Sequence, residues 1–321
     1  MHIPRRRFLW LCGSAIAAST AAWAQTYPSR PVLFVVPLAA GGGLDFIARL
    51  VGGSVSQQLG QQVVVENRTG AGGTIGIEAA AKSAADGYTV LVTNDNIASA
   101  PHILKTNGDY AKDLVPVILI ARQPLVLATH PSLDVHSLAD LVALAKQKSG
   151  LAFASSGVGS NQHILGEWFN KTAGIKLDHI PYRGAGQAVG DLIAGHVAIG
   201  ILGPTALMPH AKTGALRLLA QSSRTRSPSL PDVPTFEEAG FKGMVLDTWY
   251  GAFVPRGTPA AIIARLNAEI DKAVADPAAR AKMLPSANDP VGGSPDVLAK
   301  QFHDDDEKYG RLVKELNIRV G

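Results

Sequence analysis

The chain has 321 residues, 46% of them hydrophobic, 17% charged and 6% aromatic, with 33 Gly and 20 Pro. That is about twice the usual single-domain length, so a disulfide-stapled miniprotein is excluded and two domains, or one large α/β domain, are expected. The net charge of +4 falls close to balance once Arg5, Arg6 and Arg7 are assigned to a leader, which leaves no basic stripe for a nucleic acid to bind.

Met1 to Arg7 is basic, Phe8 to about Thr20 is apolar, and Ala22-Trp23-Ala24 is a small-x-small cleavage site. This predicts a secretory signal over residues 1–24 and a mature chain starting at Gln25, exported to the periplasm. Arg5-Arg6-Arg7-Phe8-Leu9 resembles the twin-arginine pattern for exporting folded proteins, while Trp10, where a lysine is usual, leaves the general secretory route open. As a membrane anchor the run from Phe8 to Ala24 falls short of the roughly 20 residues needed to span. Lipidation at Cys12 is disfavoured by the bulk of Leu11 just before it. Cys12 is the only cysteine, so the mature chain is expected to have no disulfide, thiolate metal site or cysteine nucleophile.

From Gln25 onward, short apolar runs alternate with helical patterns, which predicts a mostly parallel sheet covered by helices. Strands are predicted at 32–36, 63–66, 89–93, 115–121, 125–129, 151–154, 177–181, 197–202, 217–222 and 249–254. Over Leu44 to Leu59, the residues Ile47, Leu50, Val51, Val55 and Leu59 form one apolar stripe at helical spacing. Thr258-Pro259 and Ser294-Pro295 each place a hydroxyl before a proline and predict two helix starts. The first helix carries Ile262, Ile263, Leu266, Ile270 and Val274 inside. The second carries Leu298, Phe302, Tyr309, Val313 and Leu316, and its run His303-Asp304-Asp305-Asp306-Glu307 reads as a solvated face.

Two segments read as crossings between lobes. Val115 to Thr129 is too long for one ordinary strand and is broken at Arg122-Gln123-Pro124; Ser222 to Trp249 holds Pro228, Pro231 and Pro234. The expected organisation is lobe one from residues 25–123 and 247–321, lobe two from 124–246, and a hinged cleft between them.

Enzyme motifs are missing: no G-x-S-x-G elbow, P-loop or H-E-x-x-H occurs. Gly70 to Gly76 fails the dinucleotide spacing and reads as a tight turn entering a helix. The histidines of the mature chain are scattered, so no metal site and no cofactor are expected. Two strand-to-helix loops stand out instead, Pro37 to Asp45 and Ala154 to Ser160. Each is rich in glycine and opens a helix whose first N–H groups lack helical acceptors, which suits a carboxylate or phosphate.

Tyr27-Pro28-Ser29-Arg30-Pro31, the Pro37 to Asp45 loop, Val64 to Gly73, Asp86-Gly87-Tyr88-Thr89, Pro181-Tyr182-Arg183-Gly184, Val233-Pro234-Thr235, Trp249-Tyr250-Gly251 and Pro255 to Pro259 together resemble the Bug-type extracytoplasmic solute receptors of tripartite tricarboxylate transporters. The resemblance spans nearly the whole mature chain in order. It implies a type II periplasmic-binding-protein fold, two α/β lobes closing on a small organic carboxylate, and delivery of that ligand to membrane permease subunits. By position it places Leu38, Ala40, Gly41, Gly42, Gly43, Leu44, Asp45, Asn94, Ser155, Gly157, Gly159, Ser160, Arg183 and Gly184 around the ligand. Ser155 and Ser160 are expected to offer hydroxyls and Arg183 nearby positive charge, with Asp45 accepting bonds from helix N–H groups or orienting water. Leu44 replaces the family's usual threonine, implying a more apolar pocket edge. The reading is thus a monomeric, non-catalytic receptor with no nucleic-acid partner. The rival reading is an exported hydrolase or isomerase on the same two-lobed scaffold.

Overall fold

A computed structural model describes residues 27–318; the signal expected at residues 1–24 lies outside the described residues. The chain begins with β1 (Val32–Val36), α1 (Gly43–Leu59), β2 (Val63–Asn67), α2 (Thr74–Ala81), β3 (Thr89–Asn94), the single turns α3 (Asn96–Ser99) and α4 (Tyr110–Asp113), and β4 (Leu114–Gln123). A second set follows: β5 (Val126–Thr129), α5 (Leu138–Gln147), β6 (Ala152–Ser155), α6 (Asn161–Ala173), β7 (Asp178–Pro181), α7 (Ala185–Ile193), β8 (Ile199–Leu202), α8 (Pro204–Lys212) and β9 (Arg217–Gln221). The chain returns through β10 (Thr248–Pro255), α9 (Ala260–Ala275), α10 (Pro277–Met283), β11 (Asp289–Pro290) and α11 (Pro295–Leu316).

These strands build two sheets, one in the order β11-β4-β10-β3-β1-β2 and the other in the order β7-β6-β8-β5-β9. The change of sheet falls at Pro124 and Leu125, between β4 and β5. A proline cannot donate to a sheet ladder and has a fixed φ, so the β-like run is cut there and its halves enter different sheets. The chain comes back between Gln221 and Thr248, and Pro228, Pro231 and Pro234 lie in no strand.

The sheets are mixed, not mostly parallel. Parallel pairing is confined to β1 with β2 and β3, and to β6 with β7 and β8. In contrast, β10 runs antiparallel to β3 and β4, and β5 antiparallel to β8 and β9. Parallel neighbours need a crossover such as a helix on the same sheet. The strands that arrive from the other sheet have none and enter in the opposite sense, a constraint that hydrophobic pattern does not encode.

Helix starts follow the predicted chemistry unevenly. Ser160 caps α6, accepting from the His163 N–H at 3.2 Å. Ser294 and Pro295 occupy the expected N-cap and first helical positions of α11, but the Ser294 hydroxyl makes no cap bond. At α9 the cap position belongs to Pro259, and the Thr258 hydroxyl donates to the Pro255 carbonyl at 2.8 Å. The unpredicted α10 is capped by Asp276, whose carboxylate accepts from the Ala278 N–H at 2.7 Å.

One apolar cluster runs through both sheets, joining Val35 and Leu91 to Leu127 and Phe153 and to Phe253 and Tyr309. It explains one correction. Asp305, expected on a solvated face, is only 3% exposed, because positions 302, 305 and 309 share the face of α11 that packs inward. Its carboxylate accepts from the Trp249 indole N–H at 2.7 Å and the Gln301 amide at 2.7 Å, and pairs with Lys308 at 2.8 Å.

Candidate functional site

Beyond the shared apolar cluster, the two halves touch at backbone groups and at a hydroxyl. The Ala39 N–H donates to the Arg183 carbonyl at 3.1 Å, and the Ser99 hydroxyl donates to the Gly159 carbonyl at 2.6 Å. A Cβ on Gly186 would overlap the Ala40 carbonyl, and one on Gly184 would lie 2.7 Å from the Ala39 nitrogen. Glycine is required at these places because anything larger would hold the two halves apart.

Between the halves lies a small central cavity of about 20 Å³. The first turns of α1, α6, α7 and α8 reach it, through Gly42 to Leu44, Gln162, Ala185 and Gly203. Three of these helices, α1, α7 and α8, have glycine at the cap position and no side-chain cap bond. The first N–H groups of α1 and α7 thus meet no capping side chain, while α8 opens on Pro204, which has no N–H; each terminus carries partial positive charge. No lining residue is charged; the polar ones are Asn94, Gln123, Ser156, Gln162, Thr248 and Tyr250. The Ser156 hydroxyl and the Asn94 Oδ1 are buried without a partner, a costly arrangement unless something arrives to bond them.

Of the residues assigned from sequence, Leu38, Gly42, Gly43, Leu44 and Asn94 line this cavity. Leu44 is 4% exposed and supplies the apolar edge. Ala40, Gly41 and Gly184 stand behind it at the contact between halves. Asp45 turns back on its own loop, where Oδ2 accepts from the Gly41 N–H at 3.2 Å and Oδ1 accepts from Arg49 and Asn67 at 3.0 Å each. Burial works to raise its carboxyl, but those bonds outweigh it and hold the group below the usual carboxylate range.

The serines differ from expectation. The Ser160 hydroxyl is spent on its cap and on the Gly157 carbonyl at 2.8 Å, and the Ser155 hydroxyl sits 2.6 Å from His179 Nε2. Neither residue lines the cavity; Ser156, between them in the loop from Ser155 to Ser160, does. Gly157 and Arg183 border a separate groove, and Gly159 packs on Ala100. The Arg183 side chain is exposed and is not part of the central cavity.

Beneath the β6–α6 loop the imidazoles of His163 and His179 stack with centroids 3.9 Å apart. Burial lowers His163 to about 4, and burial together with the His163 neighbour lowers His179 to about 3. Ser155 and His179 have the spacing of a nucleophile and its base, but Ser155 is fully buried and outside the cavity. Among the described residues no three His, Cys, Asp or Glu side chains gather as a metal would require.

Gln123, Thr248 and Tyr250 entered the site without being assigned to it. Tyr250 belongs to the quoted Trp249-Tyr250-Gly251 segment, so a signal existed for it. Gln123 and Thr248 end β4 and begin β10, and only the meeting of the two sheets brings them inward.

Residues 47–318 match the family described as the tripartite tricarboxylate transporter family receptor. The chain belongs to that family. It is 38% identical to protein BugT of Bordetella pertussis over 316 residues, covering 97% of this chain and 96% of that one. Among solved structures, the periplasmic binding protein BugD superposes with a TM-score of 0.88 at 30% identity, covering 91% of this chain and 99% of that one. Rpa4515 of R. palustris, solved with adipate, gives 0.88 at 33% identity with the same coverage. This receptor therefore has the two-lobed periplasmic-binding-protein fold that its sequence motifs implied, and its cavity lies where its two sheets meet.

Proposed function

We propose that this receptor captures a small organic carboxylate in the periplasm and passes it to membrane permease subunits, binding without catalysis. In this reading 25–123 and 247–321 form one lobe and 124–246 the other, and the carboxylate occupies the central cavity. The observation that carries it is the convergence of three uncapped helix N-termini on a cavity with two unpartnered buried polar atoms and no cationic side chain. The relative solved with adipate supports the ligand class.

The magnitudes are sufficient. Each terminus contributes up to about 2 kcal/mol to a partly buried anion, and charge-assisted hydrogen bonds from Ser156 and its neighbours add about 1.5–3 kcal/mol each. Micromolar affinity requires about 8 kcal/mol. A thermal-shift series of mono-, di- and tricarboxylates tests the reading, because a ligand of the native state raises stability by RT ln(1 + [L]/Kd). At least one carboxylate should raise the midpoint, and stabilisation by sugars alone would refute it.

A further inference from the structure

No cation lines the central cavity, and a buried carboxyl stands directly behind its wall. Asp95 follows Asn94 at the end of β3 and is fully buried. It occupies the cap position of α3, yet its side chain makes no cap bond there and turns the other way. Oδ1 accepts from the Thr248 hydroxyl and Oδ2 from the Tyr309 hydroxyl. Thr248 in turn lines the central cavity, with Asn94 and Tyr250. One threonine thus separates the buried carboxyl from the space assigned to the ligand's carboxylate.

The groups around Asp95 leave it without a counter-charge. From α11 it faces Tyr309, Asp305 and Lys308, and from β10 Thr248 and Tyr250, with Asp247 near Tyr309. Lys308, the one cation among them, is paired with Asp305 at 2.8 Å. Burial therefore outweighs the two hydroxyl bonds and pushes the carboxyl up to about 7.

The two protonation states present different faces to the cavity. A hydroxyl has one hydrogen to give. With Asp95 ionised, Thr248 spends that hydrogen on Oδ1 and offers the cavity only lone pairs, near the unpartnered Oδ1 of Asn94. Two acceptors with a negative charge behind them repel a carboxylate. With Asp95 protonated, its own O–H donates to the Thr248 oxygen, and the threonine hydrogen is free to turn toward the ligand.

We propose that Asp95 is a positioning residue that takes up one proton with each carboxylate bound, acting through Thr248. The proton comes from the buffer and joins Oδ1, and the Thr248 hydroxyl swings from Asp95 to donate to a ligand oxygen. This role rests on the reading of the central cavity as a carboxylate site, and adds that the receptor loads its anion together with a proton.

Calorimetry of the mature protein with adipate at pH 8, in buffers of different ionisation enthalpy, should show about one proton taken up per ligand bound. Affinity should fall about tenfold from pH 8 to pH 9, because the carboxyl must be reprotonated for binding. Carboxylic acids are ionised throughout that range, and the stacked histidines, at about 4 and 3, are neutral. In Asp95→Asn the amide donates to Thr248 and accepts from Tyr309 as the protonated acid does. That variant should bind adipate with no proton uptake and with equal affinity at pH 8 and pH 9, whereas a merely structural role would leave the pH slope in place. The first two readings need no substitution, so they decide even where Asp95→Asn does not fold. Adipate bound without proton uptake and with no pH slope, or uptake that persists in Asp95→Asn, overturns the role of Asp95 and leaves the cavity reading standing. Binding of neither adipate nor any other acid of the thermal-shift series would instead overturn the reading of the central cavity and this proposal with it.

Discussion

Ser155, Ser156 and Ser160 lie within six positions, and each hydroxyl has a different task. Ser160 caps a helix, Ser155 is tied to an imidazole, and Ser156 alone faces the cavity with its oxygen free. The stacked histidines hold the loop that carries them, since His179 meets Ser155 and the Gly159 N–H donates to His163 Nδ1 at 3.4 Å. Both titrate below the ordinary histidine value near 6.5, so between about pH 6.5 and 3 the unfolded chain binds more protons than the native one. Stability from this pair is therefore complete above 6.5 and lost as the pH falls. At about 1.4 kcal/mol per pH unit, the cost by pH 4.5 is on the order of 3 kcal/mol for each group. The thermal midpoint should fall by roughly 10 °C between pH 7 and 4.5. Scanning calorimetry of a His163→Gln/His179→Gln variant should show a shallower fall, and an equal fall would place the acid sensitivity elsewhere.

At the scale of elements, closure depends on loops that carry almost no side chain. The β1–α1 loop meets the first turn of α7 with Gly41 against the Gly186 Cα and Gly42 against the Ala185 methyl. Gly186→Val would force the Ala40 carbonyl away and hold the halves apart. Since each half keeps its own sheet and helices, the unliganded protein should still fold. Carboxylate affinity should drop by about tenfold or more, as expected when the binding-competent state is only fractionally populated. Titration calorimetry against adipate checks this, and unchanged affinity would mean the contact is not part of the bound state. The terminal helix works the other way. Through Phe302, Asp305 and Tyr309, α11 ties itself to β10, and the Lys171 ammonium of α6 donates to its Glu315 carbonyl, so one helix bridges both halves.

For the whole molecule, a chain that crosses between sheets only at 124–125 and 222–247 has two thin connections, the arrangement that hinge closure requires. Small-angle scattering should show a smaller radius of gyration with saturating adipate than without. Identical profiles at proven saturation would argue against hinge motion. Sequence alone determined the α/β pattern of short strands and helices, the break in the β-like run at Pro124, and the glycine loops at the heads of α1 and α6, because apolar period, prolines and glycines act locally. It also carried the family, through motifs spread over nearly the whole mature chain. The tertiary structure decided the rest. It set the sense of β10 and β5, which depends on how a strand enters a finished sheet, and it buried Asp305 by packing one face of α11. It also divided the assigned residues, placing Leu38, Gly42, Gly43, Leu44 and Asn94 in the central cavity and Arg183 outside it. Ser156, Gln123 and Thr248 came in from three separate strand ends. Which side chains face a shared space depends on how two lobes meet, and no local pattern in the chain records that meeting.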